Sequence, residues 1–351
     1  MATPLSAAHR VPHTAKPPAR CPHCGSTRLI RKGTRRKKLE IAQLWQCKLC
    51  RRVFTPAPAE LRYKTYPLRV ILDGVTLYNL GYSLPDAAKK LKAKHGYKVS
   101  PSTLASWMDE HHELTTYRRL RERTHAGLSP AQTIRSTKLY HRQVYSFAYH
   151  RPKLALVRES PQHRRFAPLA DFLEQVPKTC PHDLFGDGSR ASQLPPFVNR
   201  NHLIVAEKEN FATRAAALII PSVGDNRLRH EALQRFMLAN DSVTVAVEIP
   251  IWLVTQDIDA LEIEHGIRLL PEGHEPRVLT GHIDFIQVRN GAVHILDYKP
   301  DARTNKPIAQ LTLYALALTR LAGLRLFDIK CAWFNEEQYC EFFPRALLAR
   351  Q

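Results

Sequence analysis

Between residues 66 and 113 the apolar positions fall at helical spacing. Val70, Ile71, Val75, Leu77, Leu80 and Leu84 are followed by Ala87, Ala88 and Leu91, then by Val99, Leu104 and Trp107. Gly81 and Gly96 interrupt the run, so the spacing predicts successive helices. Ser83 stands just before Pro85 and Ser100 just before Pro101, each a hydroxyl suited to cap a helix that has proline in its first turn. A Gly-Leu-Ser-Pro break at 127–130 closes this region. Beyond it the pattern is mixed α and β, interrupted by the Gly/Pro-rich "CPHDLFGDGSRASQLPPF". "KLYHRQVYSFAYHRPKLALV" reads as one or two strands with His141, His150 and Lys153 exposed. The clearest strand pair is "GHIDFIQVRNGAVHILDYKP", residues 281–300, whose Asn290-Gly291 predicts a two-residue type I′ turn. That turn sets Arg289 against Ala292, Val288 against Val293, Ile286 against Ile295 and Asp284 against Asp297.

At 351 residues the chain has room for two or three domains, and its 44% hydrophobic content is that of a globular protein. No apolar run reaches the ~18 residues a membrane span needs. Residues 1–20 carry no apolar signal core and read as a disordered basic tail, so the expected location is cytoplasmic, in contact with a prokaryotic nucleoid. The formal net charge of +20 is front-loaded: residues 1–65 hold 15 Lys/Arg against 2 Asp/Glu, whereas residues 200–351 hold 17 against 19. Such asymmetry favours a polyanion, because binding one releases condensed counterions. No amphipathic basic helix points to a membrane surface instead.

Four of the seven cysteines form two pairs, Cys21-Pro-His-Cys24 and Cys47-Lys-Leu-Cys50. Two intervening residues let a tight turn aim both thiolates at one ion, and two such turns complete the tetrahedral sulfur site that Zn²⁺ accepts. With no open position the zinc is expected to be structural, holding a zinc ribbon over residues 21–56. The stretch between the pairs reads as two strands around a basic turn. Arg31, Lys32, Arg35, Arg36, Lys37 and Lys38 lie on it, with Arg51 and Arg52 beside the second pair, and phosphate contact is their simplest use. Cys180, Cys331 and Cys340 read as buried free thiols.

Residues 66–125 then read as an all-α helix-turn-helix domain. Its recognition helix would be "PSTLASWMDEH", presenting Ser102, Thr103 and Ser106 to DNA. The ribbon followed by "LYNLGYSLPDAAKKL…VSPSTLASW" resembles the N-terminal part of insertion-sequence transposases, which implies binding to double-stranded DNA and a mobile-element setting.

Two acids and a lysine at the ends of apolar strands are costly unless they have work to do. Opposed carboxylates raise one another's pKa unless a cation intervenes, and a hard ion such as Mg²⁺ or Mn²⁺ suits oxygen ligands. Lys299 lies two residues after Asp297, so it projects from the same strand face. "GHID…LDYKP" resembles the G-x-x-D and D-x-K motifs of the PD-(D/E)xK nuclease superfamily, in its RecB-like branch. Gln310-Leu-Thr-Leu-Tyr314 is similar to that branch's Q-x-x-x-Y motif, and His230 in "NRLRHEALQRF" matches its helix histidine. The resemblance implies that His230, Asp284, Asp297 and the Tyr298 carbonyl coordinate the divalent metal. By the same resemblance Lys299 supports the nucleophile, and Gln310 and Tyr314 hold the site or the DNA backbone. Glu248 in "VAVEIPIWL" is read as structural and left out of the metal set.

The expected architecture is therefore multidomain: zinc ribbon, helix-turn-helix, and over 129–351 a C-terminal α/β restriction-endonuclease-like domain with a mixed central sheet and a core at 200–345. The expected activity is hydrolysis of DNA phosphodiester bonds, on duplexes or single-stranded ends, by a metal-dependent nuclease. Two other readings use the same features: a DNA-binding regulator with an inactive nuclease-like domain, and a transposase or recombinase. For the latter, Asp183, Asp187 and Asp225 supply no convincing triad of acids.

Overall fold

The computed structural model describes residues 18, 20–36, 41–55, 66–115, 120, 127–194, 204–223, 225, 228–270, 273 and 277–348. Most of the tail, the linker at 56–65, most of 116–125, and Lys37 and Lys38 lie outside them. The chain divides into two compact units: residues 1–78, 82–113 and 214–233 form one, and residues 79–81, 114–213 and 234–351 the other. Among the described residues no helix is long and apolar enough to cross a membrane.

In the first unit, β1 (Leu29–Arg36), β2 (Ile41–Cys47) and β3 (Val53–Phe54) make a three-stranded antiparallel sheet. The β1–β2 register shifts between Arg31 and Thr34, where Gly33 takes a φ of 96° that other residues resist. Among the described residues, Trp45 and Phe54 pack against Cys21 and Cys47 in a core that is small for a free-standing domain.

Three helices follow: α1 (Leu68–Asn79), α2 (Leu84–His95) and α3 (Pro101–Glu110). The Ser83 hydroxyl accepts from the Asp86 N–H at 3.2 Å, and Ser100 accepts from the Thr103 N–H at 3.0 Å, so both serines cap as their spacing predicts. Gly96 ends α2 in the left-handed conformation. Val70, Ile71, Val75, Ala87, Leu91, Val99, Leu104 and Trp107 are buried, whereas Leu77, Leu80, Leu84 and Ala88 are partly covered. A methyl group on Gly74 of α1 would meet Leu104 at 2.9 Å and the Trp107 ring at 3.1 Å, so α1 and α3 touch closely there.

The second unit is built on one nine-stranded sheet. Its strands are β4 (Ile134–His141), β5 (Gln143–His150), β6 (Ser189–Arg190), β7 (Ala206–Glu207), β8 (Thr244–Leu253), β9 (Leu279–Arg289), β10 (Ala292–Tyr298), β11 (Ile329–Phe334) and β12 (Tyr339–Phe342). They run in the order β4-β5-β8-β9-β10-β11-β12-β7, with β6 beside β9. The β10–β11 and β6–β9 pairs are parallel and the others antiparallel, making the sheet mixed. Helices α4 (Arg151–Glu159), α5 (Ala167–Thr179), α8 (Thr255–His265) and α9 (Ile308–Ala322) belong to this unit, while α6 (Phe211–Ile219) and α7 (Arg229–Asn240) continue from one unit into the other. The α9 helix connects β10 to β11 and is apolar on most of its circumference, as a helix pressed into a core must be.

The basic, aromatic segment after residue 134 is a β-hairpin that extends this sheet through β5 and β8. It does not expose His141, His150 or Lys153, which are 2%, 0% and 3% accessible. Burial holds His150 well below its ordinary pKa and brings the Lys153 ammonium down to about 7. Lys153 Nζ donates to the carbonyls of Leu238, Asp241 and Thr244 at 2.6, 2.5 and 2.9 Å. It thereby satisfies acceptors left open where α7 ends.

Candidate active site

The hairpin that carries the acids forms as its turn dictates. Asn290 and Gly291 both have positive φ, 52° and 67°, and the ladder pairs Ala292 with Arg289, Val293 with Val288 and Ile295 with Ile286. Pairing continues to Leu296 and Phe285, and β10 then leans on β11, with Asp297 opposite Trp333. At the end of the ladder the Asp284 carboxylate takes over a backbone role: its Oδ2 accepts from the Tyr298 N–H at 3.0 Å. Asp284 and Asp297 are nearly buried, at 9% and 3% accessible, in a sheet whose neighbouring side chains are apolar.

Lys299 Nζ lies 2.8 Å from Asp297 Oδ2. That oxygen is buried, and the Lys299 ammonium is its charge partner. Burial holds the Asp297 carboxyl well above its ordinary pKa, the nearby Asp284 charge adds to this, and Lys299 offsets part of it. Burial alone would weaken the Lys299 ammonium, but the Asp297 and Asp284 charges outweigh it and hold the group above its usual value. Two acids whose repulsion and burial raise the pKa of one of them form an arrangement that a bound cation would relieve.

Glu248 supplies a third carboxylate. Val247 pairs with Phe285 and Ile249 with Ile283, which puts Glu248 across from Asp284 in the β8–β9 ladder. Its backbone has a φ of 52°, a left-handed residue inside a ten-residue strand, costing about 1–3 kcal/mol. Carboxylate oxygens of Glu248 and Asp284 lie within 4.8 Å of each other. One ion bound to both at the ~2.0–2.6 Å typical of Mg²⁺ and Ca²⁺ spans about that distance. Gln234 Nε2 donates to Glu248 Oε1 at 2.7 Å and fixes its orientation. His230 sits on the first turn of α7, four residues before Gln234 and therefore on the same helix face.

Gln310 Nε2 donates to Tyr314 Oη at 2.9 Å along one turn of α9. Tyr314 is buried, and desolvation followed by the charges of Asp297 and Asp284 raises its hydroxyl pKa, so it stays a neutral donor or acceptor. Its ring occupies the space above Gly281: a Cβ there would lie 2.6 Å from Tyr314 Cε1. Glycine at the head of "GHID" is thus required by the tyrosine, not by the turn.

In the first unit the four thiols converge. Cys21 Sγ is 3.6 Å from Cys50 Sγ and Cys24 Sγ is 3.6 Å from Cys47 Sγ, and all four lie within 4.8 Å of one another. A tetrahedral ion with ~2.3 Å bonds to sulfur sets its ligands about 3.8 Å apart. Backbone N–H groups of Cys50 and then Leu49 bring the Cys47 thiol down to about 6, towards thiolate. Arg31, Lys32, Arg35, Arg51 and Arg52 are exposed around this sheet. Arg31 stands over the Trp45 ring at 5.7 Å, and Arg52 reaches His23 at 3.5 Å. The backbone of Arg36 closes β1 opposite Ile41. Ser102 and Ser106 are exposed on α3 and Thr103 is half-buried. Ser102 and Thr103 each lie 2.8 Å from the Ser100 hydroxyl, and Ser106 donates to the Ser102 carbonyl.

Sequence comparison agrees with the acidic half of this geometry. Residues 202–340 match the family model of the PD-(D/E)XK nuclease superfamily. That span carries Glu248, Asp284, Asp297, Lys299, Gln310 and Tyr314, and the mixed sheet with its helices is consistent with that superfamily's fold. No curated protein and no solved structure matches the chain. Sequence alone does not bring Glu248 or Gln234 to the site, nor does it give the reason for Gly281. It does mark Glu248 in the way it marks Asp284, as one acid inside an otherwise apolar strand.

Proposed function

We propose that the chain is a divalent-metal-dependent DNA nuclease. One observation carries this reading: Glu248 and Asp284 bring carboxylate oxygens within 4.8 Å of each other on the neighbouring inner strands β8 and β9, and the buried Asp297 at the end of β10 adds a third acid, paired with Lys299 at 2.8 Å. Oxygen donors of this kind fit a hard ion, Mg²⁺ or Mn²⁺. Asp284, Asp297 and Glu248 would hold it, with His230 and the Tyr298 carbonyl completing the set. When bound, such an ion polarises a phosphodiester and lowers the pKa of a water.

The chain's own groups do the rest. Lys299, held protonated, orients the attacking water and offsets charge developing on the phosphate. Gln234 keeps Glu248 turned towards the ion position. Tyr314, held by Gln310, backs the strand that bears Asp284 by filling the space above Gly281.

DNA is gripped, in this reading, by the basic first unit. A structural zinc ion on Cys21, Cys24, Cys47 and Cys50 shapes the ribbon, Arg31, Lys32, Arg35, Arg36, Lys37, Lys38, Arg51 and Arg52 meet phosphates, and α3 approaches duplex DNA through Ser102, Thr103 and Ser106. The front-loaded charge supports this division: positive where phosphates are held, near neutral where a cation must be kept.

The test is cleavage of plasmid and linear DNA by the purified protein with Mg²⁺ or Mn²⁺, with DNA affinity measured alongside. Asp297→Ala and Lys299→Ala are expected to lose cleavage and retain affinity. Cleavage that persists in both would falsify the site assignment.

A further inference from the structure

A second cluster of metal-ligating groups lies in the sheet-bearing unit. His141 ends β4, and Cys180 and His182 follow α5 in the sequence Cys-Pro-His. His141 Nε2 is 2.8 Å from His182 Nδ1 and 3.8 Å from Cys180 Sγ, and one ligand atom from each of the three lies within 4.8 Å of the others. Ligands of a tetrahedral zinc ion, at ~2.0–2.1 Å for nitrogen and ~2.3 Å for sulfur, stand roughly 3.4 Å apart for N–N and about 3.6 Å for S–N. The observed spacings come within several tenths of an ångström of both.

The first imidazole is fixed in place before any ion arrives. His141 stacks on Phe185 with ring centroids 3.7 Å apart and planes at 11°. Its other nitrogen, Nδ1, is 2.9 Å from His282 Nε2, the hydrogen bond that a ligating histidine needs to set its tautomer. His282 is itself stacked on Tyr145 at 3.5 Å. A chain of imidazole hydrogen bonds would account for the two N···N contacts, but it gives the thiol nothing beyond its 3.8 Å contact.

We propose that His141, Cys180 and His182 form a second metal site, for a borderline dication such as Zn²⁺, distinct in ligand chemistry from the carboxylate site. Nitrogen and sulfur ligands exclude Mg²⁺ there, as oxygen ligands favour it at Asp284. With three protein ligands and an exposed His182, a fourth position is left open to water. The ion would fasten the loop after α5 to the end of the edge strand β4, beside the His282 that precedes Asp284 by two residues.

Zinc content of the full-length protein, dialysed against excess Mg²⁺ to fill the carboxylate site, tests this. His182→Ala, whose side chain is exposed, and Cys180→Ser are each expected to hold about one equivalent of zinc fewer than wild type. The difference, not the total, is the readout, so it does not depend on whether the four-cysteine site is loaded or whether the protein cuts DNA. In the cobalt-substituted protein the thiolate charge-transfer absorption should weaken in Cys180→Ser. Zinc content equal to wild type in His182→Ala, with its circular dichroism unchanged, overturns the proposal.

Discussion

Asp297 is the residue in which structure and chemistry conflict most directly. A carboxyl whose pKa is raised by folding binds its proton more tightly in the folded chain, so it withdraws stability as pH rises above the ordinary carboxylate value. Asp297→Asn removes that dependence. In EDTA the variant should melt higher than wild type near ~pH 7, with the gap closing towards ~pH 4, where both side chains are neutral. The same substitution should lower metal-dependent cleavage by about 100-fold or more, the cost of removing one electrostatic group from a preorganised site. Thermal melts across pH, with cleavage rates beside them, check both halves. A variant less stable than wild type at neutral pH would mean the acid is satisfied as it stands. Asp297 and Lys299 are legible in the sequence because D-x-K places both on one strand face. Glu248 is not, because only its left-handed backbone and its place opposite Asp284 bring it to the site.

At the scale of elements, Asn290-Gly291 sets the hairpin register because few residues tolerate two positive φ angles in succession. Ser83 and Ser100 are equally legible as caps, since their hydrogen bonds are local. His141 and His150 in the hairpin of β4 and β5 are buried, against the sequence expectation, for a non-local reason. Phe147 and Tyr149 of β5 enter the core with Leu154 and Val157 of α4, so the polar residue between strand and helix, His150, is buried with them. Two tightly packed positions give tests. Gly281→Ala puts a methyl group 2.6 Å from the Tyr314 ring, and should destabilise the protein by about 1–3 kcal/mol while lowering cleavage, because the tyrosine must shift. Ser100→Ala should cost about 1 kcal/mol through removal of the α3 cap and weaken DNA binding without changing the rate of cleavage at saturating DNA. Chemical denaturation and equilibrium binding measure these. A Gly281→Ala protein with unaltered stability would show that the Tyr314 ring is free to move.

For the molecule as a whole, the charge distribution is legible from the first residues, and the proposed division of labour rests on it. Replacing Arg31, Lys32 and Arg35 together by alanine should weaken DNA binding and make log K against log salt shallower by up to ~2–3, about 0.9 for each phosphate no longer neutralised. An unchanged slope would remove phosphate binding from the ribbon's roles. Two buried acids, Asp284 and Asp297, beside the half-buried Glu248 and Lys299 argue against an inert domain, since buried carboxylates are costly to keep without a ligand. In the proposed reading these carboxylates form a cage for one hard ion that makes cleavage possible. Cleavage of a duplex as a function of Mn²⁺ concentration, in wild type and in Glu248→Gln, tests it most directly. Glutamine keeps the side chain's shape and removes only its charge, so the Mn²⁺ concentration at half-maximal cleavage should rise by at least ~10–100-fold. The same midpoint in both proteins, or cleavage by wild type in EDTA, would rule out a catalytic ion held by Glu248.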